Sequence, residues 1–214
     1  MSQFFTIYPD NPNLRLIRQA AAVLREGGIV VYPTDSCYAL GCHLGDKDAV
    51  ARIRQIRGLD EHHHLTLMCR DLSEISHYAR VDNTKFRLLK NNTPGNYTFI
   101  LEATKEVPRR LQHPKRSTIG IRIPDHPVAL ALLEELGEPI LSSTLILPDE
   151  VWPLNDAEMV RELLEKKVDV VIDGGSVGID FTTVIDLTGD APALLRQGKG
   201  DIAPFGIEAP QGDF

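Results

Sequence analysis

An α/β fold, with a mixed and strongly twisted sheet and helices on its outside, is predicted from three features of the 214-residue sequence. Short apolar runs of strand length alternate with segments whose apolar residues recur every three or four positions. Glycines, prolines and capping residues punctuate almost every boundary. The order departs from a regular β-α-β-α series, because the last strand-like runs are joined only by turn residues; that disfavours a doubly wound parallel sheet.

Gln3 to Tyr8 reads as a short edge strand. In the segment Pro12 to Glu26, Leu14, Ile17, Ala21 and Leu24 share one helical face, and Gly27-Gly28 ends it. Ile29 to Tyr32 is a buried-type strand closed by Pro33. Asp46 caps a helix with Ala49, Val50, Ile53 and Ile56 on one side, and Gly58 stops it. Leu65 to Cys69 is a strand, Asp71 with Glu74 has the spacing of a capping box, and Asp82 caps a further helix through Phe86, Leu88 and Leu89. After the turn Thr93-Pro94-Gly95 come strands at Tyr97 to Leu101 and Thr118 to Ile123. Pro127 suits the first turn of a helix that continues through Ala129, Leu132, Leu133 and Leu136 to Gly137. Pro139 to Ser142 leads a short strand, Asp156 caps a helix running to Lys166, and strands follow at Val168 to Ile172, Thr183 to Leu187 and Ala193 to Arg196. The chain reads as one domain over 1–214, with its core at about 12–205 and a short C-terminal tail.

Composition narrows the function classes. Apolar residues make up 43% and charged residues 25%, which excludes a disordered chain. No apolar run reaches the roughly 18 residues of a membrane span, and the N-terminal segment has neither the basic nor the long apolar region of a signal peptide; no membrane association is expected. Three cysteines are too few for a disulfide framework and point to a reducing, cytoplasmic setting. The net charge of −7 disfavours a general nucleic-acid coat, yet the charge is lopsided. Six bases and one acid lie between Lys105 and Arg122, and eleven acids and three bases between Glu134 and Asp173. The run His62-His63-His64 reads as a polar loop, since consecutive residues of a regular element cannot all face one ion; no structural metal is expected.

One motif fails on context. Gly174-Gly175-Ser176-Val177-Gly178 matches a nucleophile elbow, but strand residues follow it and the last histidine is His126, upstream of it. No phosphate-binding glycine loop of the Gly-x-x-x-x-Gly-Lys or Gly-x-Gly-x-x-Gly type is present. Phosphate binding, if any, falls to side chains at strand ends. Pro33-Thr34-Asp35-Ser36, Thr98, Arg122, Ser142-Ser143-Thr144, Thr182-Thr183 and Arg196 are such residues, and together they make a polar cleft lining. Arg122, set between isoleucines, needs a partner or water.

Taken in order, Tyr32-Pro33-Thr34-Asp35-Ser36 with Tyr38-Ala39-Leu40-Gly41, Thr93-Pro94-Gly95-Asn96-Tyr97-Thr98, Ile119-Gly120-Ile121-Arg122-Ile123-Pro124, Thr182-Thr183-Val184-Ile185-Asp186 and Leu195-Arg196-Gln197-Gly198 resemble the YrdC/YciO family over nearly the whole chain. The YciO branch is the most similar. The resemblance implies a YrdC-like twisted mixed sheet, open and barrel-like, around a deep central cavity with positive lining. It also implies nucleotidyltransferase chemistry of the L-threonylcarbamoyladenylate synthase type. L-threonine, bicarbonate and ATP with Mg2+ would be the substrates, and the product feeds the tRNA modification t6A. By matching position, Thr34 would lie near the threonine or carbamate end, Arg122, Thr183 and Arg196 would face nucleotide or phosphate, and Thr98 and Ser143 would line the same cavity.

The family pattern is incomplete in two places. Where catalytic members carry Lys-x-Arg, this chain has Arg57-Gly58-Leu59; Arg57 keeps a positive charge and is counted with the binding residues. Where they carry Ser-x-Asn, it has Ser143-Thr144-Leu145. No residue is assigned a catalytic role on this basis. Two readings stand: a synthase-like protein that binds ATP or another nucleotide, and a double-stranded RNA-binding or ribosome-associated protein that uses the basic cavity without catalysis.

Overall fold

The computed structural model describes residues 1–60 and 63–208. Of the features singled out above, His62 and the tail from 209 to 214 lie outside the described residues. The elements in chain order are β1 (Gln3–Thr6), α1 (Leu14–Arg25), β2 (Val30–Pro33), β3 (Tyr38–His43), α2 (Lys47–Arg57), β4 (Thr66–Met68), α3 (Leu72–Tyr78), α4 (Asn83–Asn92), β5 (Tyr97–Glu102), β6 (Thr118–Arg122), α5 (Pro127–Leu136), β7 (Ile140–Thr144), α6 (Ala157–Leu164), β8 (Val170–Asp173), β9 (Thr183–Asp186) and β10 (Ala193–Arg196).

The helix starts follow the capping residues. Asp46, Asp71, Asp82 and Asp156 each accept a hydrogen bond from the backbone N–H three residues on. Each thereby satisfies a donor that the first helical turn leaves without a partner. Glu74 completes the start of α3 by accepting from the Arg70 N–H at 2.6 Å. Gly58 and Gly137 end α2 and α5 in the left-handed region, at φ of 63° and 76°, where a side chain would be strained. α6 stops at Leu164, two residues short of the predicted Lys166.

All ten strands form one open, mixed sheet in the order β1-β8-β2-β3-β7-β4-β6-β5-β9-β10. The pairs β1/β8, β2/β8, β4/β6 and β5/β9 are parallel and the others antiparallel. β3 is the strand the apolar pattern did not announce. It pairs with both β2 and β7, and its Gly41 explains its weak signal. A Cβ at Gly41 would come within 2.6 Å of Ile140 and 2.8 Å of Tyr32, so this central position takes only glycine.

The side chains alternate between the two faces of the sheet. One face packs Val31, Leu40, Leu67, Phe99, Ile121, Leu141 and Ile185 into a core covered in part by α2 and α6. The other face is divided. Over β1, β8, β2 and β3 it carries Phe5, Val30, Tyr32 and Ala39, buried beneath α1 and α5. Over β4, β6, β5 and β9 the same face carries Thr66, Gly120, Thr98 and Val184, and these line a cavity.

Candidate functional site

The cavity has a volume of about 240 Å³ and is lined by Arg57, Arg122, Arg196, His63, His64 and hydroxyls from β4, β5, β7 and the start of β9, with Met68, Ile100, Ile146, Phe181 and Val184 between them. Among the described residues no Asp or Glu belongs to the lining. The pleat decides its membership. Thr66 and Met68 on β4, Thr98 and Ile100 on β5, and Gly120 and Arg122 on β6 are two residues apart and share the open face. Gly120 keeps the floor wide: a Cβ there would sit 3.3 Å from Thr66 Oγ1 and 3.4 Å from Thr98 Cγ2.

Arg122 is 5% exposed. Its Nη2 donates to Asp35 in a close ion pair, its Nη1 donates to Ser36 Oγ at 2.9 Å, and its Nε makes a long contact of 3.4 Å to the Gly95 carbonyl. With its amide nitrogen turned inward, Asn96 donates to Asp35 Oδ2 at 3.1 Å. The buried cation between isoleucines thus has the counter-charge that burial demands.

Arg57 and Arg196 differ from Arg122 in having neutral partners. Arg57 comes from the last turn of α2; its Nε donates to Ser143 Oγ at 3.1 Å and its Nη1 to the Ile146 carbonyl. Arg196 ends β10 and donates to the Thr182 carbonyl at 3.0 Å and to Thr182 Oγ1 at 3.2 Å, with its guanidinium 5.1 Å from the Phe181 ring centre. Neither forms an ion pair with another described residue. Thr182 also bonds Thr98 Oγ1 at 2.8 Å, which links Arg196 to β5.

Burial, and secondarily the neighbouring guanidinium of Arg57, holds the His63 imidazole below its ordinary pKa. Burial, then His113 stacked on it at 4.8 Å, does the same for His64. Burial also lowers Arg57 and Arg196, though an arginine remains a cation at any ordinary pH. The same effect raises the Cys37 thiol, so it is neutral. The arrangement is a polar cavity whose permanent charge is positive, suited to an acceptor-rich anion.

Of the sequence-predicted site residues, Arg57, Thr98, Arg122, Ser143 and Arg196 come together around this cavity. Thr34 and Thr183 lie outside its lining. Thr34 Oγ1 is engaged within its own turn, donating to the Cys37 carbonyl at 2.6 Å and accepting from the Ser36 and Cys37 N–H groups. Thr183 is fully buried on the opposite face of β9, where it donates to the Gly200 carbonyl at 2.6 Å and accepts from the Gly198 N–H at 3.0 Å. Thr182 has the cavity-facing place in that pair. Thr66, Phe181 and Asp35 were not singled out as ligand contacts; for Thr66, strict alternation with Met68 was the available signal. Leu59 and Leu145 also lie outside the lining: Leu145 is buried in the large core and Leu59 packs against it.

Three bases of the segment Lys105 to Arg122 are engaged in different places. Arg122 is buried, Arg110 donates to the Leu44 and Gly45 carbonyls, and Arg116 approaches Asp186 at 4.0 Å. The Gly174 to Gly178 segment is part of the β8–β9 connection, and the Tyr38 hydroxyl donates to its Gly175 carbonyl at 2.7 Å.

The order of these motifs, and the fold that carries them, has a counterpart among known proteins. The Sua5/YciO/YrdC family model, described as telomere recombination, matches residues 22–198. The chain belongs to the Sua5/YciO/YrdC family. YciO of Escherichia coli K12 is 60% identical over 205 residues, covering 96% of this chain and all of that protein. The crystal structure of E. coli YciO matches with a TM-score of 0.92. The threonylcarbamoyl-AMP synthase of Bacillus subtilis is 35% identical over 184 residues, 85% of this chain and 53% of that protein. Pyrococcus abyssi Sua5, solved in complex with L-threonine, matches with a TM-score of 0.85 at 30% identity over 92% of this chain and 58% of that one. The Sua5/YciO/YrdC chain described here therefore spans little more than half of those two longer relatives. Among its described residues no helix is long and apolar enough to cross a membrane.

Proposed function

We propose that the cavity is a nucleotide site of the threonylcarbamoyl-AMP synthase type, which takes ATP together with L-threonine and bicarbonate. The observation that carries this reading is the convergence of three guanidiniums and a set of hydroxyls on a cavity with no carboxylate among its described lining residues. The relatives named for that activity, and the one solved with L-threonine, support it. In this reaction the carbamate oxygen of N-carboxylated threonine forms a bond to the ATP α-phosphorus. The bond to the bridging oxygen of pyrophosphate breaks, and pyrophosphate leaves with its electron pair. Such a transfer depends on positioning and on cations beside the phosphates. Arg57 and Arg196, whose charges are not offset by an acid, suit the phosphates.

Magnesium fits only as an escort of the nucleotide. Among the described residues the lining offers no carboxylate, and no group of three or more His, Cys, Asp or Glu that could hold a metal occurs. An ion arriving with ATP would keep phosphate oxygens and water as its ligands, where it would neutralise phosphate charge.

Leu59 and Leu145 replace the polar residues of catalytic members and give the cavity no polar group. Loss of one preorganised contact to a developing charge costs on the order of 100–1,000-fold in rate, and two such losses need not simply add. The expected protein is a nucleotide binder with slow turnover. The test incubates it with ATP, magnesium, L-threonine and bicarbonate beside a competent synthase, and follows pyrophosphate release with mass detection of the adenylate. Product that requires both threonine and bicarbonate is the expected result. Absence of ATP binding overturns the reading. RNA binding that weakens steeply with added salt, in a protein that ignores ATP, would replace it with the RNA-binding alternative.

A further inference from the structure

Asp35 pairs with one of the three arginines of the cavity, Arg122, and is not itself part of the lining. Its side chain is 10% exposed and that of its partner Arg122 6%. We propose that Asp35 is a positioning residue that sets what this end of the cavity recognises. It fixes the orientation of Arg122 and offsets its charge, so that a ligand is selected there by hydrogen-bond geometry and not by bulk negative charge. The inference rests on the reading of the cavity as the site of a phosphate-bearing ligand.

A guanidinium has five N–H donors. Arg122 directs one to Asp35, one to Ser36 Oγ and its Nε to the Gly95 carbonyl, which leaves one on each Nη, and Arg122 lines the cavity. The direction of those two donors is therefore set by the acid and the serine behind them. Asp35 is itself held in place. Asn96 donates to its Oδ2 at 3.1 Å and to its backbone carbonyl at 3.3 Å, and the turn that carries it is closed by Thr34 Oγ1. Three arginines and one aspartate sum to two positive charges, and both belong to Arg57 and Arg196, whose partners are neutral. One side of the cavity thus offers charge, and the other offers two aimed donors on a neutralised pair.

A purely structural role, in which Asp35 only satisfies a buried arginine, makes the opposite prediction on replacement. Asp35→Asn keeps an oxygen for Arg122 but unmasks its charge. Inorganic pyrophosphate, a small polyanion with no other recognisable feature, is the probe, measured beside ATP by titration calorimetry at two salt concentrations. With the positioning role, D35N binds pyrophosphate about tenfold more tightly than wild type, with a steeper salt dependence, and the preference for ATP over pyrophosphate shrinks. Folded D35N with unchanged or weaker pyrophosphate binding overturns the proposal, and the structural role is then the whole of it. If D35N does not fold, Asn96→Ala, which removes the group that holds the Asp35 carboxylate, is measured instead; the preference for ATP over pyrophosphate should shrink, and an unchanged preference in folded N96A overturns the proposal. Wild-type protein that binds neither ATP nor pyrophosphate overturns the nucleotide reading itself. Wild-type binding with no gain in D35N overturns this inference alone.

Discussion

One face of the sheet serves two purposes, and its halves differ in what lies above them. Over β2, β3 and β8 the face is closed by α1 and α5, through Ile17, Ala20, Ala21, Leu24, Val128, Ala129, Leu132 and Leu133, all fully buried. Over β4, β5, β6 and β9 it is open, and the residues in the same alternating register are hydroxyls, a glycine and Arg122 interspersed with Met68, Ile100 and Val184. The strand geometry is common to both. The lesson is that coverage decides the role of a position: beneath a helix a polar group would lose water without return, whereas beside a cavity it keeps a ligand or solvent as partner.

The strongest way to break the covered half is Leu133→Ala beneath α5. It should lower stability by about 2–5 kcal/mol, read from urea unfolding, and leave ATP affinity unchanged in the protein that remains folded. A loss of affinity in folded L133A would show that the halves are coupled. The converse variant in the open half is Arg196→Ala. It should weaken ATP binding by about tenfold or more while costing at most about 1 kcal/mol in stability, because the residue ends a strand at the sheet edge and its partners are neutral. Gly120→Val sharpens the contrast further. The added methyl groups enter the open floor beside Thr66 and Thr98, so ligand affinity should drop by roughly tenfold with the fold intact. An unchanged affinity would move the ligand off β6.

The smallest effect concerns the edge between the halves. His126 Nδ1 accepts from the Val128 N–H at 3.3 Å and caps α5, which requires a neutral ring. Burial is the main cause of its lowered pKa, so the unfolded chain takes up the proton more readily than the folded one. The contribution is therefore complete above the unfolded value of about 6.5 and is lost as pH falls through the lower, folded value. Urea midpoints should fall between pH 7.5 and 5 by an amount that His126→Asn removes, since asparagine caps without titrating. A pH dependence that persists in H126N would assign it to other groups.

Much of this fold is legible in the chain. The four aspartate caps and the glycine stops are local chemistry, satisfied within one helical turn of themselves. The strands with unbroken apolar runs also announce themselves. β3 does not, because Gly41 and the turn residues before it hide a strand whose place is set by contacts with Ile140 and Tyr32. Within the site, Arg122 was legible as a buried strand arginine in need of a partner. Its partner Asp35 is 87 positions away, and Arg57 meets Ser143 across 86.

By itself, the sequence determined most of the element types, most of their ends and the set of polar strand-end residues, since each of these depends on neighbours a few residues apart. The tertiary structure alone decided which of those residues share a cavity. Thr182 and Thr183 are adjacent and chemically identical, yet register with β5 turns one to the ligand side and the other to the Gly198–Gly200 loop. A period-two strand makes that choice for every position at once, and only pairing across the sheet fixes its phase.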